Sequence, residues 1–408
     1  MLGYGENSRV PAMTARRAPH PAPEPRPIPP AAPRANRVPV ARAYMPAIEA
    51  ALPYLHRLDQ SRWYSNYGPL VEELERRLAD RFSTPTTVAT VSSATSALTI
   101  GLQALMIRDG GLRPEGVCAM PAWTFVATAH AVAQAGLRPW FVDVDPETWM
   151  LDPGALREVM NQAPGPVQGV IPVSAFGHMP DVAAWKRFRA DTAIPVLIDA
   201  AAAFDALDDA AIPSVVSLHA TKILGTGEGG YLATEDPEFA VSIRTRTVFG
   251  FHGDRIARVI AANAKLSEYA AALGHASLDQ WASTRMRYMQ AAQRMRIALI
   301  DTPVVRFQPG WGSDWISATC VVGLPDGSAD FVDAALAEEG IETRHWWGSG
   351  CHRAPAFSGA ARTALPVTDR LARSTIGLPF ALDMDEDLIG RIADAVRRAV
   401  SAYAGERS

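Results

Sequence analysis

The chain has 408 residues, about half of them apolar and a fifth charged, with a formal net charge of −4. That length suggests two domains, one of them large, and the charge gives no general attraction to nucleic acid or acidic lipid. The longest apolar runs fall far short of the ~20 residues that cross a bilayer. Three widely spaced cysteines, Cys118, Cys320 and Cys351, suit a reducing cytoplasm and fit neither a disulfide framework nor a metal site.

Residues 1–40 are rich in Pro, Ala and Arg and carry almost no large apolar side chains, so they read as a disordered tail. Residues 69–82 are predicted helical, with Val71, Leu74, Leu78 and Phe82 on one face. Short apolar runs at 86–91, 140–144, 169–173 and 195–198 read as buried strands separated by helices. This alternation predicts an α/β fold with a mainly parallel sheet covered on both faces, and ligands of such sheets sit at the C-terminal ends of the strands. Residues 41–290 are expected to form this large domain. Residues 291–408 are expected to form a smaller α/β domain, with a strand at 317–322 and helices near 331–339 and 386–403. Leu388, Ile392, Val396 and Val400 line the last of these.

Four segments carry chemistry, in chain order. Residues 90–98 (TVSSATSAL) follow a strand and open an apolar helix, a pattern that makes either an anion site or a plain Ser/Thr cap. Residues 121–130 (PAWTFVATAH) begin a further helix, where an aromatic side chain could lie on a flat ring or in the core. Residues 195–203 (PVLIDAAAA) end an apolar strand in Asp199, followed by small residues that let a planar group approach. Residues 214–231 (SVVSLHATKILGTGEGGY) bring Ser217, His219 and Lys222 before a glycine-rich loop.

Lys222 stands out because the chain has three lysines, Lys186, Lys222 and Lys265, against thirty-six arginines. A lysine that survives such a bias can do what a guanidinium cannot, namely form an imine. Together Lys222 and Asp199 suit pyridoxal 5′-phosphate (PLP): the lysine takes the aldehyde, and the carboxylate pairs with the ring nitrogen and keeps it protonated. Gly225, Gly227 and Gly230 also spell the dinucleotide pattern GxGxxG. That pattern must follow a strand and open a helix, whereas here it leads into YLATED, which alternates like a strand.

These segments together resemble the DegT-type (DegT/DnrJ/StrS) sugar aminotransferases, fold-type I PLP enzymes, over residues 65–388. The resemblance implies transfer of an amino group from glutamate to a nucleotide-linked keto sugar, in a homodimer with shared active sites. It places the Ala94 and Thr95 amides and Ser217 on the cofactor phosphate, Phe125 on the ring, Asp199 on the ring nitrogen and Lys222 at the covalent link. Asn263, in NAKLSEYAAALG, corresponds to an asparagine that reaches the partner's phosphate. His345 and Trp346, in TRHWWGSGCHRAPAF, border the sugar. Two positions depart from the pattern. Ala202 stands where Gln or His is common, and Ser174 where His is common; both lie near the cofactor or the sugar. The retained lysine separates the chain from related sugar dehydratases, which carry His there. The NAKLSE and Trp-Trp segments lean toward a 4-keto-6-deoxy sugar. A cyclitol or other small ketone, or a catalytically inactive PLP- or sugar-binding regulator, is the alternative.

Overall fold

The structure, a computed structural model, describes residues 37–405 apart from Asp109 and Pro303. Its strands are β1 (Thr87–Val91), β2 (Val117–Pro121), β3 (Arg138–Val142), β4 (Val167–Val170), β5 (Ile198–Asp199), β6 (Ser214–Ser217), β7 (Gly230–Thr234), β8 (Arg306–Phe307), β9 (Cys320–Gly323), β10 (Ala361–Arg362) and β11 (Thr375–Leu378). Strands pair in the orders β1-β7-β6-β5 and β10-β3-β2-β4. Parallel bridges Val170–Val196 and Val173–Asp199 join β4 to the β5 segment, so the two sets form one sheet. β7 runs against β1 and β6, and the remaining pairs are parallel.

Side-chain alternation explains why both faces of this sheet are covered. Successive strand residues point to opposite faces. Ala119, Trp140, Ile198 and Val216 enter one apolar core, while their neighbours Cys118, Phe141, Leu197 and Val215 enter the other. The helix Pro69–Ala79 packs into the first core through Leu70, Val71, Leu74 and Leu78. The helix Ala94–Arg108 packs into the second through Leu98 and Leu102.

Strand limits differ from the sequence reading where a residue cannot join the ladder. Proline has no N–H to donate. Without a donor at Pro172, the segment expected over 169–173 meets the 195–198 segment only through isolated bridges on either side of it, Val170–Val196 and Val173–Asp199, and regular pairing in the latter is confined to β5, Ile198–Asp199. The strand expected at 317–322 starts at Cys320, because the Ser317 hydroxyl is tied back to the Thr319 carbonyl at 3.1 Å. The helix expected over 69–82 closes at Ala79. Its N-terminus follows Gly68, which has no side chain to cap it. The buried Glu268 carboxylate does so instead, accepting from Leu70 N at 2.8 Å and Val71 N at 3.0 Å.

The C-terminal part forms a separate antiparallel sheet, β11-β9-β8. It shares its core with the helices Ala329–Glu338 and Glu386–Gly405 through Val322, Leu336, Ile376, Ile392 and Val396. Residues 1–36 of the expected tail lie outside the described residues. The residues that follow are held: Val38 bridges Ile341, Ala41 bridges Phe380, and Val40 is buried.

Candidate active site

β5 ends on Asp199 at the edge where a parallel sheet receives ligands. The side chain is buried, and both carboxylate oxygens are held: Thr128 Oγ1 donates to Oδ2 at 2.7 Å and Ala201 N to Oδ1 at 3.1 Å. Burial pushes the carboxyl above its ordinary range, and the two hydrogen bonds and the Lys222 charge pull the other way.

Lys222 lies in the loop between β6 and β7. Backbone bonds fold this loop on itself: Thr226 N to Leu218 O at 2.7 Å, Ala220 N to Gly227 O at 2.8 Å and Leu218 N to Gly229 O at 3.0 Å. Gly227 turns it with a φ of +87°, which a side chain would resist. The half-buried Lys222 has its ammonium pushed below the ordinary lysine range by burial, against the stabilising Asp199 carboxylate. The two groups thus shift toward each other: an amine that gives up its proton more easily beside an acid that keeps one longer.

A candidate anion site adjoins them. Gly230 of β7 is opposite Val91 at the end of β1 and Ser217 at the end of β6. The helix Ala94–Arg108 starts there, with the Ser93 hydroxyl accepting from Ser96 N at 3.1 Å. The Ala94 and Thr95 amides have no acceptor among the described residues. Such a helix start offers oriented donors to an anion. A Cβ on Gly230 would come within 2.6 Å of Ala94 N, so the close approach of strand and loop requires glycine there. The GxGxxG run therefore serves the lysine loop and this packing, and it continues into strand β7 rather than a helix.

Phe125 precedes the helix Val126–Gln134 and leaves 56% of its surface exposed, a large flat group one turn before Thr128. Ser174 lies across from Asp199, its N–H donating to the Asp199 carbonyl at 2.8 Å, and Ala202 sits half-buried on the turn after Asp199. Asn263 is exposed and accepts from the Lys265 ammonium, while the next carbonyl, of Ala264, accepts from Ser92 N at 2.7 Å beside the anion site. The helix after it is capped by Ser267, not Asn263.

His345 pairs with Asp330 at 3.4 Å, and the Trp346 ring lies under the Arg344 guanidinium. Trp347 is the member of this loop that stacks on Phe176, with ring centres 3.9 Å apart, and meets Trp123 edge-on at 5.4 Å. Trp123 and Phe176 lie two residues from Phe125 and Ser174, so Trp347 brings the loop to the rim of the site. The sequence reading passed over Thr128 and this aromatic cluster. Thr128 is three residues after Phe125, where a helix turns the side chain to the same face, and that spacing was the available signal.

The donors present fit PLP: unpaired amides for a phosphate, a buried carboxylate for a ring nitrogen, and a lysine for the aldehyde. Fold and site together define a fold-type I PLP enzyme. The DegT/DnrJ/EryC1/StrS aminotransferase family profile matches residues 47–397. The chain is 31% identical over 246 residues to a dTDP-4-amino-4,6-dideoxy-D-glucose transaminase of Shigella dysenteriae, covering 59% of this chain and 64% of that one. It is 29% identical over 344 residues to a UDP-2-acetamido-2-deoxy-3-oxo-D-glucuronate aminotransferase of Pseudomonas aeruginosa, covering 81% and 90%. The crystal structure of DesI in the presence of its TDP-sugar product superposes with a TM-score of 0.79 at 29% identity, covering 91% of this chain and 96% of that one. The chain belongs to the DegT/DnrJ/EryC1/StrS aminotransferase family and is a PLP-dependent aminotransferase.

Proposed function

We propose that this aminotransferase moves an amino group from glutamate to a nucleotide-linked keto-deoxy sugar, of the 4-keto-6-deoxy type, as a homodimer. The similarity to the dTDP-sugar transaminase and to DesI supports the nucleotide sugar. The relative from Pseudomonas aeruginosa, whose name specifies a 3-oxo sugar, makes the position of the ketone the finer point under test. The observation that carries the catalytic reading is the coupled pair of Lys222 and Asp199 at the sheet edge.

When bound, PLP supplies a ring that accepts electrons from the carbon losing its proton. The residues do the rest. Asp199, held by Thr128 and Ala201, keeps the ring nitrogen protonated. Lys222, whose pKa is lowered by burial, would hold the cofactor aldehyde and, as a neutral amine, would serve as the base that takes up and returns the proton. Phe125 covers one ring face. The Ala94 and Thr95 amides and Ser217 hold the phosphate, with Asn263 adding a donor from the partner subunit.

The test pairs chemistry with labelling. Purified protein with PLP is assayed against nucleotide-linked 3-keto and 4-keto sugars with glutamate as donor. Borohydride then fixes the cofactor, and the labelled peptide is identified. Turnover of 4-keto sugars with label on Lys222 is expected, and Lys222→Arg should fold but neither link nor transaminate. Label on Lys186 or Lys265 overturns the catalytic assignment, and turnover confined to 3-keto sugars overturns the substrate assignment.

A further inference from the structure

We propose that the Ser174 hydroxyl donates the hydrogen bond that holds the 3-oxygen of the PLP ring, a role that the turn after Asp199 has no side chain to fill. This rests on the PLP reading above and assigns one further atom of the cofactor to one residue.

Strand order carries the argument. Around Asp199 the sheet runs β1-β7-β6 on one side and β4 on the other. The anion site, with Ala94, Thr95, Ser217 and Gly230, belongs to the first side. Ser174 follows the β4 segment on the second side, its N–H bonded to the Asp199 carbonyl at 2.8 Å. On the PLP ring, the phosphate arm and the 3-oxygen lie on opposite flanks of the axis through the nitrogen. With the nitrogen at Asp199 and the phosphate toward β6 and β1, the oxygen faces the β4 flank. Neighbouring strands are about 4.8 Å apart, the scale of that displacement across a six-membered ring.

The hydrogen-bond inventory agrees. Ser174 is 3% exposed, and its Oγ has no partner among the described residues. A buried hydroxyl without a partner costs stability unless something else satisfies it. The neighbouring hydroxyls are already used: Thr128 donates to Asp199, and Thr124 lies 3.0 Å from Thr128 Oγ1. Ala202, on Asp199's own turn, has no donor to offer.

The experiment compares wild type, Ser174→Ala, Ser174→Cys and the double variant Ser174→Ala/Ala202→Gln. Four properties are measured: melting temperature without cofactor, affinity for PLP, affinity for 3-deoxypyridoxal phosphate, and the pH titration of the visible band in the absence of substrates. Without cofactor, Ser174→Ala should melt no lower than wild type, because it removes an unsatisfied group. Its PLP affinity should fall about tenfold, the size of one hydrogen bond to a charged acceptor, while the analogue without the 3-oxygen binds both proteins equally. Its band should titrate at higher pH, since the ring oxygen holds its shared proton more tightly without the donor. Ser174→Cys should fall between the two, which keeps the test open if the alanine variant does not fold, and the double variant should recover part of the affinity. Equal PLP affinity and titration in wild type and both single variants overturns the proposal. So does an equal loss of PLP and analogue, or a lower cofactor-free melting temperature with unchanged PLP affinity. A wild type with no visible band, or with label away from Lys222, instead overturns the PLP–Lys222 reading and the proposal with it.

Discussion

Thr128 Oγ1 lies 2.7 Å from Asp199 Oδ2, so a helix that starts beside one strand fixes the carboxylate at the end of another. The bond has two consequences. It aims the carboxylate, and it opposes the upward pull of burial on its pKa. Thr128→Val keeps the shape and removes the bond. The variant should retain PLP and lose about tenfold in kcat, the order of one charge-assisted hydrogen bond. The acidic limb of its pH–kcat profile should move to higher pH, which a purely structural role for Thr128 would not produce. Asp199→Ala should keep part of its PLP through the phosphate contacts and lose several orders of magnitude in turnover. A variant within tenfold of wild type would reduce Asp199 to a loop cap.

The opposed shifts of Lys222 and Asp199 predict opposed effects of pH on stability. The Lys222 ammonium in the fold has a pKa below its ordinary value of 10.5, so between the two values the unfolded chain binds more protons. Stability from this group therefore rises with pH through that window. Asp199 in the fold lies above its ordinary value of 3.8, so in its window the folded chain binds more protons, and stability falls as pH rises through it. Thermal unfolding of cofactor-free protein across pH reads both. Lys222→Met should flatten the alkaline rise, and Asp199→Asn should flatten the acidic fall. Unchanged curves would show that neither group is shifted by the fold.

The parts legible in the sequence were those set by local pattern. The run into Asp199, the lysine loop and the Ser-rich helix start are contiguous segments whose residue types state their chemistry. Their placement beside one another needed only the rule that parallel sheets gather function at one edge. What stayed hidden depends on pairing across distance. Thr128 meets Asp199 over 71 residues, and Glu268 caps a helix 198 residues away. Neither bond leaves a periodic signal. The antiparallel course of β7 was also hidden, because a buried strand reads the same in either direction. Trp346 and Trp347 are adjacent and alike in sequence, and only packing shows that it is Trp347 that stacks on Phe176.

Gly230 joins the lysine loop to the anion site, and its lack of a side chain is a packing requirement. A Cβ there would lie 2.6 Å from Ala94 N and 2.9 Å from both Ser93 C and Val216 O. These are backbone atoms, so relief requires the helix start to move. Gly230→Ala should cost about 1–3 kcal/mol of stability, as overpacking does, and should weaken both PLP and inorganic phosphate. Weakened PLP with unchanged phosphate binding would place the damage at the lysine loop instead. A variant with native melting temperature and native affinity for both would show that strand and helix start have room to part.

The last prediction concerns Asn263 and the sharing of sites between two chains. Its side chain is exposed, while the Ala264 carbonyl beside it is bonded to Ser92 at the edge of the chain's own anion site. The asparagine thus stands where its own phosphate and that of a facing copy are both candidates. Nearby exposed apolar groups, Phe249, Ile256 and Ile260, favour a facing copy, since a surface of this kind is stabilised when covered. A two-fold interface then gives each site the other chain's asparagine, and an additional oriented donor strengthens the grip on a dianion. Complementation separates the two arrangements. Lys222→Ala and Asn263→Asp are each expected to be inactive, the second because it sets a negative charge beside the phosphate. When mixed under subunit exchange, the heterodimer of a shared-site enzyme has one site with Lys222 and Asn263 both intact and one with both changed. Activity should return to about half that of wild type per heterodimer, since one of its two sites is whole. In an enzyme whose sites are each complete within one chain, both sites of the heterodimer carry a defect, and mixing restores nothing. Native mass spectrometry confirms the exchange, so silence from a confirmed heterodimer, or full activity from a stable monomer, rejects the shared site.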